Sequence, residues 1–584
     1  MNEILTEMIH NKNNSQEELT IVVENEIHQI GMLSYFNERV DLSSVNFEEC
    51  EKVLKQNGYQ FNDTNDLIMY KIEHLIDGYK IPFMDYALFL KTGDEIIQIN
   101  LDICNNTNVI HNIPISINDS DIDKYNPESD FYNDKCNKFT TDSGTDMTIY
   151  DRKNEYNANN MSVCEKGCTF IKYNSDIKRV ECDCKIKSNL TYSYNNEDYS
   201  IDKLTAQKSS SNLGVTSCRL LCFKENLTSN TGFYVVLFIL LILIIIFVLF
   251  YSKGYNMLEG KIDEVIRKTH KGNKKKSKNI IKQIINKNNK NKRKKASNNI
   301  QKKDSKNILL KSNTNKTKTK NNNNKINNIL ETKENKKNMN KNKNIKNSTN
   351  KALKPDTDYE YNWLSYKDAT KFDKRASCEY YLSLIQNKQL FMFTFCNFND
   401  YNSGIIKKFI FFLSFALHYT INALFFNDDT MHQIYEDEGS FNFGYQYKYI
   451  LLSALVSTCL LRIILQLLVL TDKDVLEVKL QQTRTLAFKK KKQKLKCIII
   501  KTIIFFVLNF LLLMFFWYYL TCFNAIYENT QIYLIENTLI SFGFSLFYPF
   551  IINIFPTILR KYSIHSLNKT KNYLYKFSQI LQLI

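Results

Sequence analysis

The chain has 584 residues, with 78 Lys and Arg against 60 Asp and Glu and a formal net charge of +18. The excess is local, because residues 261–355 hold 31 basic and 5 acidic residues and leave the remainder weakly acidic. That distribution excludes a uniformly basic nucleic-acid-binding fold and points to several regions in different surroundings.

Residues 1–231 read as an external or luminal β-rich (α+β) domain. Residues 1–30 contain no apolar signal-peptide core, so the expectation is either a leader missing from this sequence or a first span acting as an N-out anchor. NFEECEKVLKQNG reads as a short helix ending at Gly58. LIMYKIEH, FMDYALFLK and EIIQINLDI alternate as strands do, with the turn TGDE joining the last two. Nine of the 14 cysteines lie in this region. The cluster CEKGCTFIKYNSDIKRVECDC (164–184) has the spacing C-x3-C-x13-C-x-C, and TFIKYN and RVECDCKIK look like two strands around a turn. Two bridges among Cys164, Cys168, Cys182 and Cys184 would staple that hairpin, with Cys50, Cys104, Cys136 and Cys222 as further candidates. Zinc is the competing reading, but C-x-C matches zinc spacing poorly. An odd count leaves one thiol spare or paired with a missing segment. Asn62, Asn105, Asn118, Asn160, Asn189 and Asn226 begin glycosylation sequons. His74 and His111 stand apart from any catalytic motif and read as structural, so neither an enzyme nor a cofactor is expected.

Five stretches approach the ~20 apolar residues that span a bilayer: residues 232–251, 409–426, 449–470, 497–520 and 539–559, the last with Pro549 and Pro556. The sequence divides into helix one at 232–251, a disordered Lys/Asn-rich linker at 252–357 and a helical segment at 358–404. A four-helix region at 405–560 and an amphipathic tail at 561–584 follow. Lys253, Lys407, Lys408, FKKKKQKLK (488–496), Arg560 and Lys561 all fall on one side when the N-terminus is outside. The fold class is thus a multi-domain membrane protein: a disulfide-stapled ectodomain, an all-α bundle of five helices and a disordered linker. The expected partners are the bilayer, anionic inner-leaflet lipids for the linker and tail, and an unidentified protein for the ectodomain. Nucleic acid is disfavoured by the flanking membrane segments. The expected location is the plasma membrane or an endomembrane, with the C-terminus cytoplasmic.

Within the spans, His418 and Asn422 share a face of the second helix, Arg462 and Gln466 share one on the third, and Asn509 lies in the fourth. Such residues are functional candidates or interhelical glue. The loop FFNDDTMHQIYEDEGSFNF carries Asp428, Asp429, Glu436, Asp437 and Glu438. Its acids are weak candidates for a cation, since no shaped calcium loop is present. The alternative is a surface turn capped by Asp428 or Asp429 and ended by Gly439, with Lys448 beside the acids.

A cysteine-containing ectodomain, one helix, a large insert and then helical hairpins resemble the receptor-like branch of the polycystin family. The paired cysteines ending in C-x-C are similar to that family's juxtamembrane cleavage motif, and FIFFLSFALHYTINALFF to its second span. Cys184 is followed by Lys185, Ile186 and Lys187 where the motif continues H-L-[ST], so self-cleavage is not expected. Residues 260–355 are too polar for the family's lipid-binding sandwich, and the chain stops before its pore helices. The resemblance implies a receptor-like or adhesion-type role. A channel or transporter subunit and a structural scaffold are the alternatives.

Overall fold

The computed structural model describes Met8 and residues 19–61, 66–92, 95–187, 201–224, 227–270, 355–397, 399–565 and 569–582. Most of the segment read as a disordered linker, and the sequons at Asn62, Asn189 and Asn226, lie outside the described residues. The chain divides into two compact units. The first joins residues 1–235 with 419–450 and 517–537, and the second joins 236–418 with 451–516 and 538–584.

The first unit is built on two antiparallel sheets. β1 (Leu19–Val23), β2 (Glu26–Met32), β4 (Leu67–His74), β5 (Phe83–Thr92) and β6 (Glu95–Gln98) form one, in the order β1-β2-β4-β5-β6. β3 (Ser44–Asn46), β7 (Asn108–Pro114), β8 (Thr169–Asn174) and β9 (Arg179–Lys185) form the other, in the order β3-β7-β9-β8. Helix α1 (Glu48–Gln56) ends near Gly58, whose φ of +93° suits glycine. Leu67, Met69, Met84, Tyr86 and Leu88 meet Val109, Val180, Cys182 and the α1 residues Cys50 and Leu54 in one core. Ile68, Tyr70, Ile72, Ala87 and Phe89 bury the opposite face of β4 and β5. Both faces are covered, so apolar residues fill successive positions at Leu67–Tyr70 and Tyr86–Leu90 rather than alternating as expected.

The expected staple is present: Cys164 bonds Cys182 and Cys168 bonds Cys184, tying the entry of β8 to β9. Cys50–Cys104 anchors α1 to the turn after β6. Cys136 pairs with Cys218, a cysteine the sequence reading did not select. The side chain of Cys222 lies outside the described residues.

His111 of β7 is fully buried, 5.7 Å from the Tyr86 ring centroid, and burial pushes its imidazole down to about 4. An unfolded histidine titrates near pH ~6.5. Between these values the unfolded chain binds a proton that the folded domain refuses. Stability is therefore unaffected above the window and falls through it as pH drops, by about 3 kcal/mol in all. His111→Leu is expected to flatten that acid slope in urea unfolding of the full chain at successive pH values. His28, also pushed down by burial, keeps a smaller slope of the same sign.

Five helices are long and apolar enough to cross a membrane: Thr231–His270, Gly404–Phe425, Phe443–Lys479, Arg484–Ile526 and Gln531–Ile564. They fit a multi-pass membrane protein. Their regular α segments include α3 (Thr231–Leu249), α5 (Gly404–Phe425), α7 (Phe443–Ile464), α9 (Arg484–Ile526) and α10 (Gln531–Ile552). Ile245, Phe247 and Val248 of α3 are exposed, as lipid-facing residues would be.

Two boundaries differ from the sequence reading. The first helix continues to His270 rather than ending at Tyr251, because Leu258, Ile262 and Ile266 bury one face against Val475, Val478, Ala487 and Leu495. FKKKKQKLK is helical rather than a loop. Its Lys491 meets Glu259 and Asp263 at 2.8 and 2.7 Å, and its Lys494 meets Asp474 at 2.8 Å. At ~1.5 Å per residue the 43-residue α9 is ~64 Å long, about twice the hydrocarbon thickness. In the tail helix Lys569–Leu581, Tyr575 and Ser578 are buried, and Tyr575 donates to the Leu364 carbonyl at 2.9 Å. Tyr573, Phe577 and Ile580 form its exposed face.

Arg560, counted in the sequence among the basic residues flanking the spans, is fully buried in the second unit. Its guanidinium lies between the Tyr380 and Tyr575 rings, 4.7 and 4.9 Å from their centroids. It donates to the carbonyls of Tyr361 and Asn362 and to Asp373 Oδ2 at 3.0 Å. Burial pushes the Asp373 carboxyl up, but Arg375 and Arg560 outweigh it and hold the group below its ordinary value.

Candidate functional site: where the N-terminal domain holds the loops of the bundle

Within the first unit, the N-terminal domain grips the two loops that join α5 to α7 and α9 to α10. The sequence TTDSGTD (140–146) turns at Gly144, whose φ is +84°, and closes an isolated bridge between Thr140 and Asp146. This aims the buried Asp146 carboxylate at the turn opening α10. It accepts from the Asn529 and Thr530 amides at 3.0 and 2.9 Å, from Thr530 Oγ1 at 2.7 Å and from Asn529 Nδ2 at 3.1 Å. Burial raises the Asp146 carboxyl above its ordinary range, and the hydrogen bonds from Thr530 and Asn529 offset part of that rise. Backbone donors before a helix need acceptors, and here a residue 384 positions away supplies one.

The acidic loop is the second contact. It forms helix α6 (Asp428–Glu436), capped by Asn427 accepting from the Thr430 amide at 3.1 Å. The expected cap by Asp428 or Asp429 is therefore corrected by one or two positions, which frees both acids. Asp428 accepts from the Ser209 amide and Asp429 pairs with Lys208, each at 2.7 Å. Helix α2 (Ile149–Ala158), started by Thr148 accepting from the Asp151 amide, lies alongside. Asp151 and Glu155, one turn apart, meet α6 residues His432 (2.7 Å) and Tyr435 respectively. Glu436 pairs with His432 at 3.1 Å and Asp437 accepts from Asn442. Lys448, expected beside the acids, lies instead over Tyr445 and Tyr449. Glu438 and Gly439 end α6 with positive φ. Most of these acids are thus engaged by protein donors rather than gathered around one ion. A cavity of about 110 Å³ beside the contact is lined by Lys135, Arg152, Ser209, Asn212, Asp428 and Tyr527.

Close packing continues where the domain enters α3. Asn524 Nδ2 donates to Thr231 Oγ1 and Tyr419 Oη at 3.1 and 3.2 Å. A Cβ on Gly232 would lie 2.6 Å from that amide and 2.9 Å from the Leu520 carbonyl, so only glycine fits.

The intramembrane candidates separate. Arg462 and Gln466 line one cavity, and Arg462 donates to Tyr548 Oη at 3.2 Å. His418 bonds its own helix's Ser414 carbonyl at 2.7 Å and packs on Phe542. Asn509 donates to the Phe505 carbonyl of its own helix, and Asn422 is buried. The His111 ring and the Cys168 and Cys184 sulfurs lie within 4.8 Å of one another, but the sulfurs are bonded together and offer no thiolate to a metal. Asn105 and Asn118 are exposed, whereas Asn160 uses Nδ2, the atom a glycan needs, to reach the Gly78 carbonyl at 3.1 Å. Sequence reasoning missed Asp146, Asp151 and Glu155; the T-x-x-D cap at Thr148 was the one local signal for their helix.

No family model matches the chain, and neither does any curated protein or solved structure.

Proposed function

We propose that this protein is a receptor-like multi-pass membrane protein whose N-terminal domain faces the exterior or a lumen and passes its binding state to the helices. The observation that carries this reading is the Asp146 contact, through which the domain holds the turn opening α10. A ligand that shifts the 140–146 turn would act directly on a helix that runs on into the second unit. The orientation draws support from cysteine chemistry. Cys522 and the eight cysteines of the four described bridges are disulfide-bonded and belong to the first unit. The described free thiols, Cys378, Cys396, Cys459 and Cys497, all belong to the second. A membrane dividing an oxidising from a reducing compartment accounts for that division. Exposed Tyr573, Phe577 and Ile580 suit the tail to the cytoplasmic leaflet.

Hydrogen exchange of the full chain in bilayer discs tests the coupling. In Asp146→Asn, faster exchange should extend along α10 to the helix Ile554–Ile564. Faster exchange confined to residues 528–532 would contradict transmission and leave the contact purely structural.

A further inference from the structure

Both ring nitrogens of the buried His111 lack a hydrogen-bond partner among the described residues. A polar side chain enclosed in this way is rare in a folded domain and calls for a reason. Burial keeps the ring neutral, so one nitrogen is a donor and the other an acceptor. The Cys168 and Cys184 sulfurs lie within 4.8 Å of a ring nitrogen, but as a closed bridge they carry no hydrogen to donate.

The same bridge is open to attack from one side. Cys168 is half-buried and follows the turn at Gly167, whose φ is +81°, while Cys184 on β9 is buried. Cys50–Cys104 and Cys164–Cys182 are buried at both ends. Thiol–disulfide exchange needs one sulfur within reach of the incoming thiolate, and it runs faster when the departing thiolate is stabilised.

We infer that Cys168–Cys184 is a redox-active bridge, opened by a dithiol reductant, and that His111 is the positioning residue that stabilises its reduced form. A reductant thiolate attacks Cys168 Sγ, the bond between the two sulfurs breaks, and Cys184 leaves as a thiolate beside the His111 N–H. The reductant's second thiol then attacks the mixed disulfide, forming the reductant's own disulfide and releasing the Cys168 thiolate. The reductant loses two electrons and the bridge gains them, and the reductant's two thiol protons end on Cys168 and Cys184. The new thiols then donate to the imidazole nitrogen that the closed bridge leaves unpaired. Because that hydrogen bond exists only after reduction, His111 shifts the equilibrium towards the reduced pair. Cys164–Cys182 stays closed and keeps the chain before β8 tied to β9. The inference goes beyond the receptor-like reading and does not depend on it.

The test equilibrates the full chain in bilayer discs with mixtures of reduced and oxidised dithiothreitol. Free thiols are then alkylated and located by peptide mass spectrometry. Cys168 and Cys184 should become labelled together, at a poise where Cys50, Cys104, Cys164 and Cys182 stay blocked. His111→Phe keeps the ring volume and removes both nitrogens. It should require about tenfold more reduced over oxidised reagent, equivalent to ~30 mV. His111→Gln, whose amide both donates and accepts, should restore most of that loss. His111→Leu should match His111→Phe, so either decides if the other does not fold. The Cys136–Cys218 midpoint, from a bridge that also has one half-buried and one buried cysteine, should not move in these variants. Opening of the fully buried bridges first, an unchanged Cys168–Cys184 midpoint without the imidazole, or an equal shift at Cys136–Cys218 would overturn the inference.

Discussion

Asp146→Ala is expected to destabilise the first unit by about 4 kcal/mol, because it strips a buried carboxylate from two backbone amides, a hydroxyl and a side-chain amide at once. Hydrogen bonds to an ionised acceptor each contribute ~1.5–3 kcal/mol, and donors left buried without an acceptor add their own cost. The burial that raises the Asp146 carboxyl works the other way, so the loss stays below the sum of the four bonds. Asp146→Asn keeps one acceptor oxygen but turns an N–H group towards the same donors, and an intermediate loss is expected. The check is the unfolding midpoint of the full chain, read together with protease sensitivity of the 527–530 turn. A change in Asp146→Ala below ~0.5 kcal/mol, ordinary for a surface substitution, would mean that the contact does not hold the loop.

Arg560→Leu should cost the second unit about 4 kcal/mol, since removing one partner of a buried ion pair leaves the other charge uncompensated. The abandoned group is Asp373, 3 % exposed at its side chain. Arg375 still meets Asp373 at 2.8 Å, which keeps the effect from growing larger. Two backbone carbonyls and two tyrosine faces also lose their cation. Arg560→Lys should recover little, because an ammonium cannot span two carbonyls and a carboxylate in the fork geometry that the guanidinium fills. Unfolding of both variants in detergent micelles measures the difference. Near-wild-type stability for Arg560→Lys would show that charge alone, not the planar fork, stabilises the pocket.

The elements legible in the sequence share one property: their stabilising partners are local or generic. Strands β4 and β5 announce themselves because most of their residues, Leu67–Tyr70 and Tyr86–Leu90 above all, face one or other of two apolar cores. The five apolar helices need only length and hydropathy. The Cys164–Cys184 cluster carries its pairing partners within 21 residues. The elements that escaped depend on distant groups. IYDRKNEYNA shows little helical amphipathicity, and α2 is held by Thr148 at its start and by contacts with α6 some 280 residues later. FKKKKQKLK reads as a cytoplasmic loop until Glu259, Asp263 and Asp474 are placed beside its lysines. Arg560 fits a positive-inside count by position, yet it sits inside an ion pair with a residue 187 positions earlier. The candidate contact was half visible. The acids of the 425–443 loop stood out, while Lys208, Ser209 and Asp151 could be joined to them only by the fold.

The proposed receptor-like role requires the N-terminal domain to lie on the oxidising side of the membrane and the segment before α5 on the reducing side. Labelling of thiols with a membrane-impermeant maleimide in intact cells tests this directly. Cys378 and Cys396 are exposed free thiols in the segment before α5. Each is expected to stay unlabelled in intact cells and to react once the membrane is permeabilised. Labelling of either before permeabilisation would place that segment outside and contradict the topology on which the receptor-like reading rests.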